Sequence, residues 1–327
     1  MKKVLFAIVA VASLAACNNE QTISRSESTA IKFDYAFVEN STRANDITAD
    51  NLENFSVFGS VTGASEVGKI FDNQLVEGDA TNGYTYSPLQ YWVGNAQYAF
   101  AAFAPATEYS AHWTYTTADA QNGTLEFSNV DAEANQDLVY AYKERTIGDT
   151  VGTQENVKLT FNHLLSRVKF TFTNGFAEGN NITLKVYDVA IENVHENGSL
   201  TIADGVDGDW SVEATTFERA FGEAGADYLA ANVAGETTHY YLIPANDTFN
   251  ISFKVDIKQA GVYLDTYERT AEVALNMAKG NSYNVKATLN YENTSDEGAL
   301  QPIVFEVEEV VAWENTTWND ANGVTTY

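Results

Sequence analysis

Few residues in this chain stand where they could do chemistry, and the first of them is its single cysteine. Cys17 closes the run Leu14-Ala15-Ala16-Cys17, behind an apolar stretch from Val4 to Ala16 that follows Lys2 and Lys3. A basic start, a short apolar run and small residues before a cleavage point make a secretory signal. The stretch is too short to cross a bilayer as a helix. Small residues directly before a cysteine are the lipoprotein form of that signal, in which the thiol takes a diacylglycerol and becomes residue one of the exported chain. An ordinary signal with an incidental cysteine is the weaker alternative, because no second cysteine exists for a disulfide.

The remaining reactive types do not assemble into a site. His112, His163, His195 and His239 are far apart, and none makes a helical pair suited to zinc, so strand-end hydrogen bonding is expected of them. No serine sits in a G-x-S-x-G elbow, and no glycine loop of the phosphate-cradling kind is present. Asp204, Asp207 and Asp209 could hold a calcium ion, but they lack the spacing and bidentate Glu of an EF-hand loop; a solvated hairpin loop is the preferred reading. Among 45 acidic residues nothing selects a pair for glycoside hydrolysis. No catalytic residue, metal or cofactor is assigned, and the chain reads as something other than an enzyme. Two aromatic clusters, Tyr84-Tyr86-Tyr91-Trp92 and His112-Trp113-Tyr115, are either strand aromatics filling a core, which is preferred, or a glycan-binding face.

Charge narrows the partners further. Without residues 1–16 the chain keeps 16 basic against 45 acidic residues, a formal charge of −29. A field of that sign repels nucleic acid and anionic head groups, so nucleic acid is excluded and membrane attachment must come from acyl chains. With 45% hydrophobic and 13% aromatic residues the chain can bury real cores, and its length calls for two of them. Stability has to come from sheet pairing and core burial, with no disulfide to help.

The elements that must carry these residues are strands. Apolar residues recur at every second position in Ile31-Phe33-Tyr35-Phe37, Phe55-Val57, Leu125-Phe127, Val168-Phe170-Phe172, Ile182-Leu184-Val186, Ile251-Phe253-Val255-Ile257 and Ile303-Phe305-Val307. Asn-Gly pairs at 82–83, 122–123, 174–175 and 197–198 suit reversals between them. Only Thr216 to Ala231 invites a helical reading, weakened by its glycines. The expected class is all-β and predominantly antiparallel, with two β-sandwiches divided near the polar stretch at 143–156.

Two further features act as a pair. Asn40 to Asp46 is a polar, strand-breaking peptide, and within it Arg43-Ala44 offers an accessible basic residue with a small neighbour to a trypsin-like protease; Arg25 is the alternative. At the other end Ile303, Phe305 and Val307 face one way and Val311 with Trp313 resume the pattern, behind a hinge-like loop from Asn293 to Gly298.

Cys17, the strand followed by Thr42-Arg43-Ala44, the central run Phe161-Asn162-His163-Leu164-Leu165-Ser166-Arg167-Val168-Lys169-Phe170 and the terminal apolar strand with a Trp together resemble the fimbrillin family, the subunits of type V pili in Bacteroides-type bacteria. The resemblance implies two transthyretin-like β-sandwich domains, export as an outer-membrane lipoprotein displayed on the cell surface in a fimbrium, and removal of the N-terminal strand by an Arg-specific protease. It implies that the vacated groove is filled by the C-terminal strand of another pilin subunit, and that the polymer serves adhesion to a host or bacterial surface ligand. Carried onto this chain, residues 1–16 are the signal peptide and 17–43 a propeptide lipidated at Cys17, cut between Arg43 and Ala44 and containing the removable strand Ile31, Phe33, Tyr35 and Phe37. Residues 44–150 and 151–295 are the sandwiches, and 296–327 hold the donor strand Ile303, Phe305, Val307, Val311 and Trp313. The alternatives are a monomeric surface lipoprotein that binds glycans or host proteins, and a non-cleaved pilus anchor or accessory tip subunit.

Overall fold

A computed structural model describes residues 29–34, 37–38, 46–63, 67–79, 81–129, 135–294 and 302–310. The first strands are β1 (Phe37–Val38), β2 (Asn54–Gly63), β3 (Val67–Asp79), β4 (Gly83–Thr85), β5 (Ala96–Ala104), β6 (Trp113–Thr117), β7 (Gly123–Ser128), β8 (Val139–Ile147) and β9 (Thr160–His163). There follow β10 (Ser166–Asn174), β11 (Ile182–His195), β12 (Asn197–Ala203), β13 (Val206–Val212), β14 (Thr216–Gly222), β15 (Ala234–Glu236) and β16 (Tyr240–Leu242). The last elements are β17 (Asn246–Gln259), β18 (Val262–Asn276), β19 (Ser282–Leu289), a single helical turn α1 (Tyr291–Thr294) and β20 (Phe305–Val310). The architecture is all-β.

The first body is built on a seven-stranded sheet in the order β1-β9-β8-β5-β2-β3-β4. Its central strands are covered on both faces, so β5 is nearly all apolar: Phe100, Ala102 and Ala104 enter one core, Ala99, Ala101 and Phe103 the other. The second of these cores is closed by the sheet β13-β12-β7-β6. The first is closed by the N-terminal residues Ile31 and Phe33 together with Tyr84, Trp92, Val157 and Leu159.

The second sandwich packs the sheet β15-β10-β19-β20, which β16 extends beside β10, against β14-β11-β17-β18. Most pairs are antiparallel, but β10 runs parallel to β19 from Arg167↔Ser282 to Asn174↔Leu289. Tight reversals follow turn chemistry: β12 and β13 are joined by Asp204-Gly205 at φ +52° and +77°, the two-residue hairpin geometry that glycine makes accessible. The segment Thr216–Ala231, open to a helical reading, contains instead the strand β14, because Phe217, Arg219 and Phe221 alternate inward with a period of two.

The two bodies are not sequential in space. β9, beyond the polar stretch at 143–156, pairs with β8 of the first sheet, and hairpin β12–β13 returns from the later half to pair with β7. Leu200 and Ile202 of that hairpin sit in the first body's second core, and the Trp210 indole N–H donates to the Leu164 carbonyl at 2.7 Å.

Candidate functional site

Residues 29–34 lie in the first body as an inserted extended segment, and β1 follows at 37–38. On one side the Ile31 amide donates to the Gln90 carbonyl at 2.8 Å and Trp92 donates to the Thr29 carbonyl at 2.9 Å. On the other, Val157 donates to Lys32 at 2.7 Å, Asp34 donates to Val157 at 3.0 Å, and β1 continues parallel to β9 with Phe37 opposite Thr160. Alternation sends Ile31 and Phe33 inward, where they are 0% and 2% exposed. Burial of each is worth about 1.5–3 kcal/mol.

Phe33 occupies an aromatic socket. Its ring centroid lies 5.9 Å from Phe55, 5.8 Å from Phe71, 5.8 Å from Tyr86 and 5.9 Å from Phe100, mostly edge to face. The Tyr86 hydroxyl donates to the Ile31 carbonyl at 2.7 Å. Burial pushes that phenol up to about 12, so it remains a donor at any physiological pH.

Eight residues after Val38 the chain is pinned at the junction of the two bodies. Asp46 is fully buried and takes both carboxylate oxygens to Arg167 Nη1, at 2.7 and 2.5 Å, while the Tyr241 hydroxyl donates to it as well. Arg167 Nε also donates to Ser282 Oγ at 2.8 Å, tying Asp46 to β10, β16 and β19 of the second sandwich. The next residue turns to the first body: the Ile47 amide donates to Asp137 at 3.1 Å, and the same Asp137 oxygen lies 2.6 Å from His163 Nδ1. Burial on its own would raise the Asp46 carboxyl, but the Tyr241 hydrogen bond and the Arg167 charge hold it below the ordinary aspartate value.

This junction also gives the central run a physical role. Phe161 fills the core beside Phe33, Leu164 and Leu165 fill the second core, and Val168 and Phe170 open the third. His163 and Arg167 face the buried polar knot between them. Asp46 gives no signal in the sequence, since a lone aspartate in a polar loop has no pattern.

At the other end β20 lies antiparallel on β19, with Phe305 opposite Ala287 and Val307 opposite Val285. Ile303 is buried at 9% exposure, whereas Phe305 is half-buried, with its ring 6.3, 6.1 and 6.5 Å from those of Phe170, Phe172 and Phe253. Val307 remains 41% exposed. The start of the connecting loop is held in α1, where Arg269 donates to the Asn293 carbonyl at 3.3 Å and to that of Thr294. The sequence-derived site residues Cys17, Tyr35, Arg43, Ala44, Val311 and Trp313 lie outside the described residues. Of Phe37 the backbone position on β1 is described.

The other candidates fall in structural roles. Asp204 is the first residue of the β12–β13 turn, and His195 Nε2 lies 3.2 Å from Asp247. No group of three metal-ligating side chains occurs among the described residues. Tyr84, Trp92, Trp113 and Tyr115 are buried in the cores of the first body, which leaves them no free face for a sugar.

Comparison with known proteins adds family and fold. The family described as Fimbrillin-like matches residues 42–302, and a prokaryotic membrane lipoprotein lipid attachment site matches residues 1–18. No curated protein matches the chain. The crystal structure of a candidate cell adhesion protein from Bacteroides uniformis ATCC 8492 aligns over 88% of this chain and 98% of its own, at TM-score 0.50 and 13% identity. One from Bacteroides ovatus ATCC 8483 aligns over 88% and 99%, at TM-score 0.50 and 12% identity. At such identity the likeness is one of fold.

Proposed function

This chain belongs to the fimbrillin-like family and opens with a lipoprotein lipid attachment site; on that premise we propose that it is exported to the outer membrane surface as the non-enzymatic structural subunit of an adhesive pilus, polymerising by strand exchange. In this reading it is exported as a lipoprotein acylated at Cys17 and cut between Arg43 and Ala44. The fragment that leaves carries both the lipid and the strand Ile31 to Phe37. The C-terminal strand of another subunit, from Ile303 toward Trp313, then fills the groove, and the fibre serves adhesion.

The observation that carries the proposal is the placement of residues 29–34 and 37–38. They supply the buried Ile31 and Phe33 to a core, while the chain eight residues further on is fixed independently by Asp46. A cut between these points would free the strand and leave the new N-terminus held at the domain junction. An emptied groove presents unpaired backbone groups and a hydrophobic slot, which another chain's strand can satisfy. About five donor side chains at about 1.5–3 kcal/mol each supply roughly 7–15 kcal/mol before ordering costs. Because donor and acceptor surfaces differ, the contact is heterologous and propagates as a filament.

The test is a comparison of Arg43→Ala with Arg25→Ala on the cell surface. Loss of the high-mass ladder on mild SDS gels in the first variant alone is expected. Ladders that survive Arg43→Ala contradict the cleavage site, and monomers alone in the wild type favour an uncleaved lipoprotein.

A further inference from the structure

The strand that fills the groove has a counterpart in the same chain. The order Ile, any residue, Phe, acidic residue occurs at two places in the sequence, Ile31-Lys32-Phe33-Asp34 and Ile303-Val304-Phe305-Glu306. In both, Ile and Phe point inward: Ile31 and Phe33 are buried in the first body, Ile303 is buried on the second sandwich and Phe305 packs half-buried among three aromatic rings.

The two sockets are unequal. The Phe305 ring meets its neighbours at 6.1 to 6.5 Å, and the strand that carries it closes only one edge of its sheet. The Phe33 ring has four aromatic partners at 5.8 to 5.9 Å and is 2% exposed, on a segment paired along both sides. A Phe moved from the first environment to the second gains contact and loses exposure, which favours transfer of the strand.

We infer that Phe305 of a second copy enters the socket of Phe33, with Ile303 in the place of Ile31; the inference rests on the strand-exchange reading above and specifies its register. Val304 then falls at Lys32 and Glu306 at Asp34. Phe33 pairs in parallel with Val157, so strand alternation puts Asp34 and Lys158 side by side on the outer row. Glu306 keeps a carboxylate next to Lys158 at that position. Val311 and Trp313 do not repeat the order of types and lie beyond the matched stretch.

Thiol mapping tests the register, since a chain cut after Arg43 has no native cysteine. Subunits carrying Lys158→Cys are mixed during assembly with subunits carrying Val304→Cys, Glu306→Cys or Glu308→Cys, oxidised, and run unfolded. Each subunit holds one thiol, so every linked dimer is intermolecular. The Glu306→Cys mixture is expected to give severalfold more linked dimer than the other two. Dominance of Val304→Cys or Glu308→Cys overturns the register by a two-residue slip. Polymers that form in all mixtures without linkage to 158 show another donor or direction and overturn it as well. Absence of polymers from the wild-type chain defeats the strand-exchange reading itself.

Discussion

Phe33 and Asp46 are opposite in kind, and the account depends on both. Phe33 holds the N-terminal strand by packing, its ring set among four others. Phe33→Ala should lower precursor stability by about 3–5 kcal/mol, read as a shift of the denaturant midpoint. Polymers assembled from the cleaved chain, which lacks residue 33, should dissociate like wild type. An unchanged precursor midpoint contradicts the socket. Asp46 holds by charge. It binds a proton more weakly folded than unfolded, so its contribution is complete above the ordinary value of 3.8 and is lost as pH falls below it toward the folded value. Asp46→Asn should cost about 3–5 kcal/mol at neutral pH by removing the carboxylate that neutralises the buried Arg167. It should also flatten the acid limb of the stability curve, and an acid limb like that of wild type contradicts the pairing. Sequence reading reaches Ile31, Phe33 and Ile303, because inward apolar side chains repeat at a fixed period. It does not reach Asp46, whose partners Arg167 and Tyr241 stand 121 and 195 residues away.

At the scale of elements, legibility follows solvent contact. β17 alternates cleanly, with Phe249, Ile251, Phe253, Val255 and Ile257 inward and polar residues outward, and reads as a strand at once. The edge strand β18 is mostly exposed along its length, and β3 buries only Phe71 and Val76, so their composition hides them. The β12–β13 hairpin is legible as a turn, but its docking onto β7 depends on a neighbour some 75 residues earlier, beyond any local pattern. β20 is legible as an apolar strand, and its place on β19 is seen only in three dimensions. It adds one edge strand and a half-buried Phe, with Ile303 buried just before it, to a sandwich whose other core residues all lie between Val168 and Leu289. Deletion of residues 300–327 should therefore leave the β circular-dichroism signal and a cooperative melt while abolishing ladders. Ladders that persist contradict the donor role of this segment.

The whole molecule is a strongly acidic chain without a disulfide, held by three cores and by the interlocking of its halves through β9, β12 and the buried knot around Asp46. On the proposed cleavage, that interlocking would keep the rest of the chain fixed at the junction once the N-terminal strand had left. The fold class and the terminal strands follow from the sequence, whereas the junction around Asp46 does not, because it is assembled from Asp46, Asp137, His163, Arg167 and Tyr241. The central claim is that residues 17–43 leave as a unit, carrying lipid and strand together. Its most direct test is the N-terminus of the protein in polymers taken from the cell surface, read by intact mass and N-terminal sequencing. The expected chain begins at Ala44 and carries no acyl group; polymers whose subunits begin at an acylated Cys17 would contradict the account.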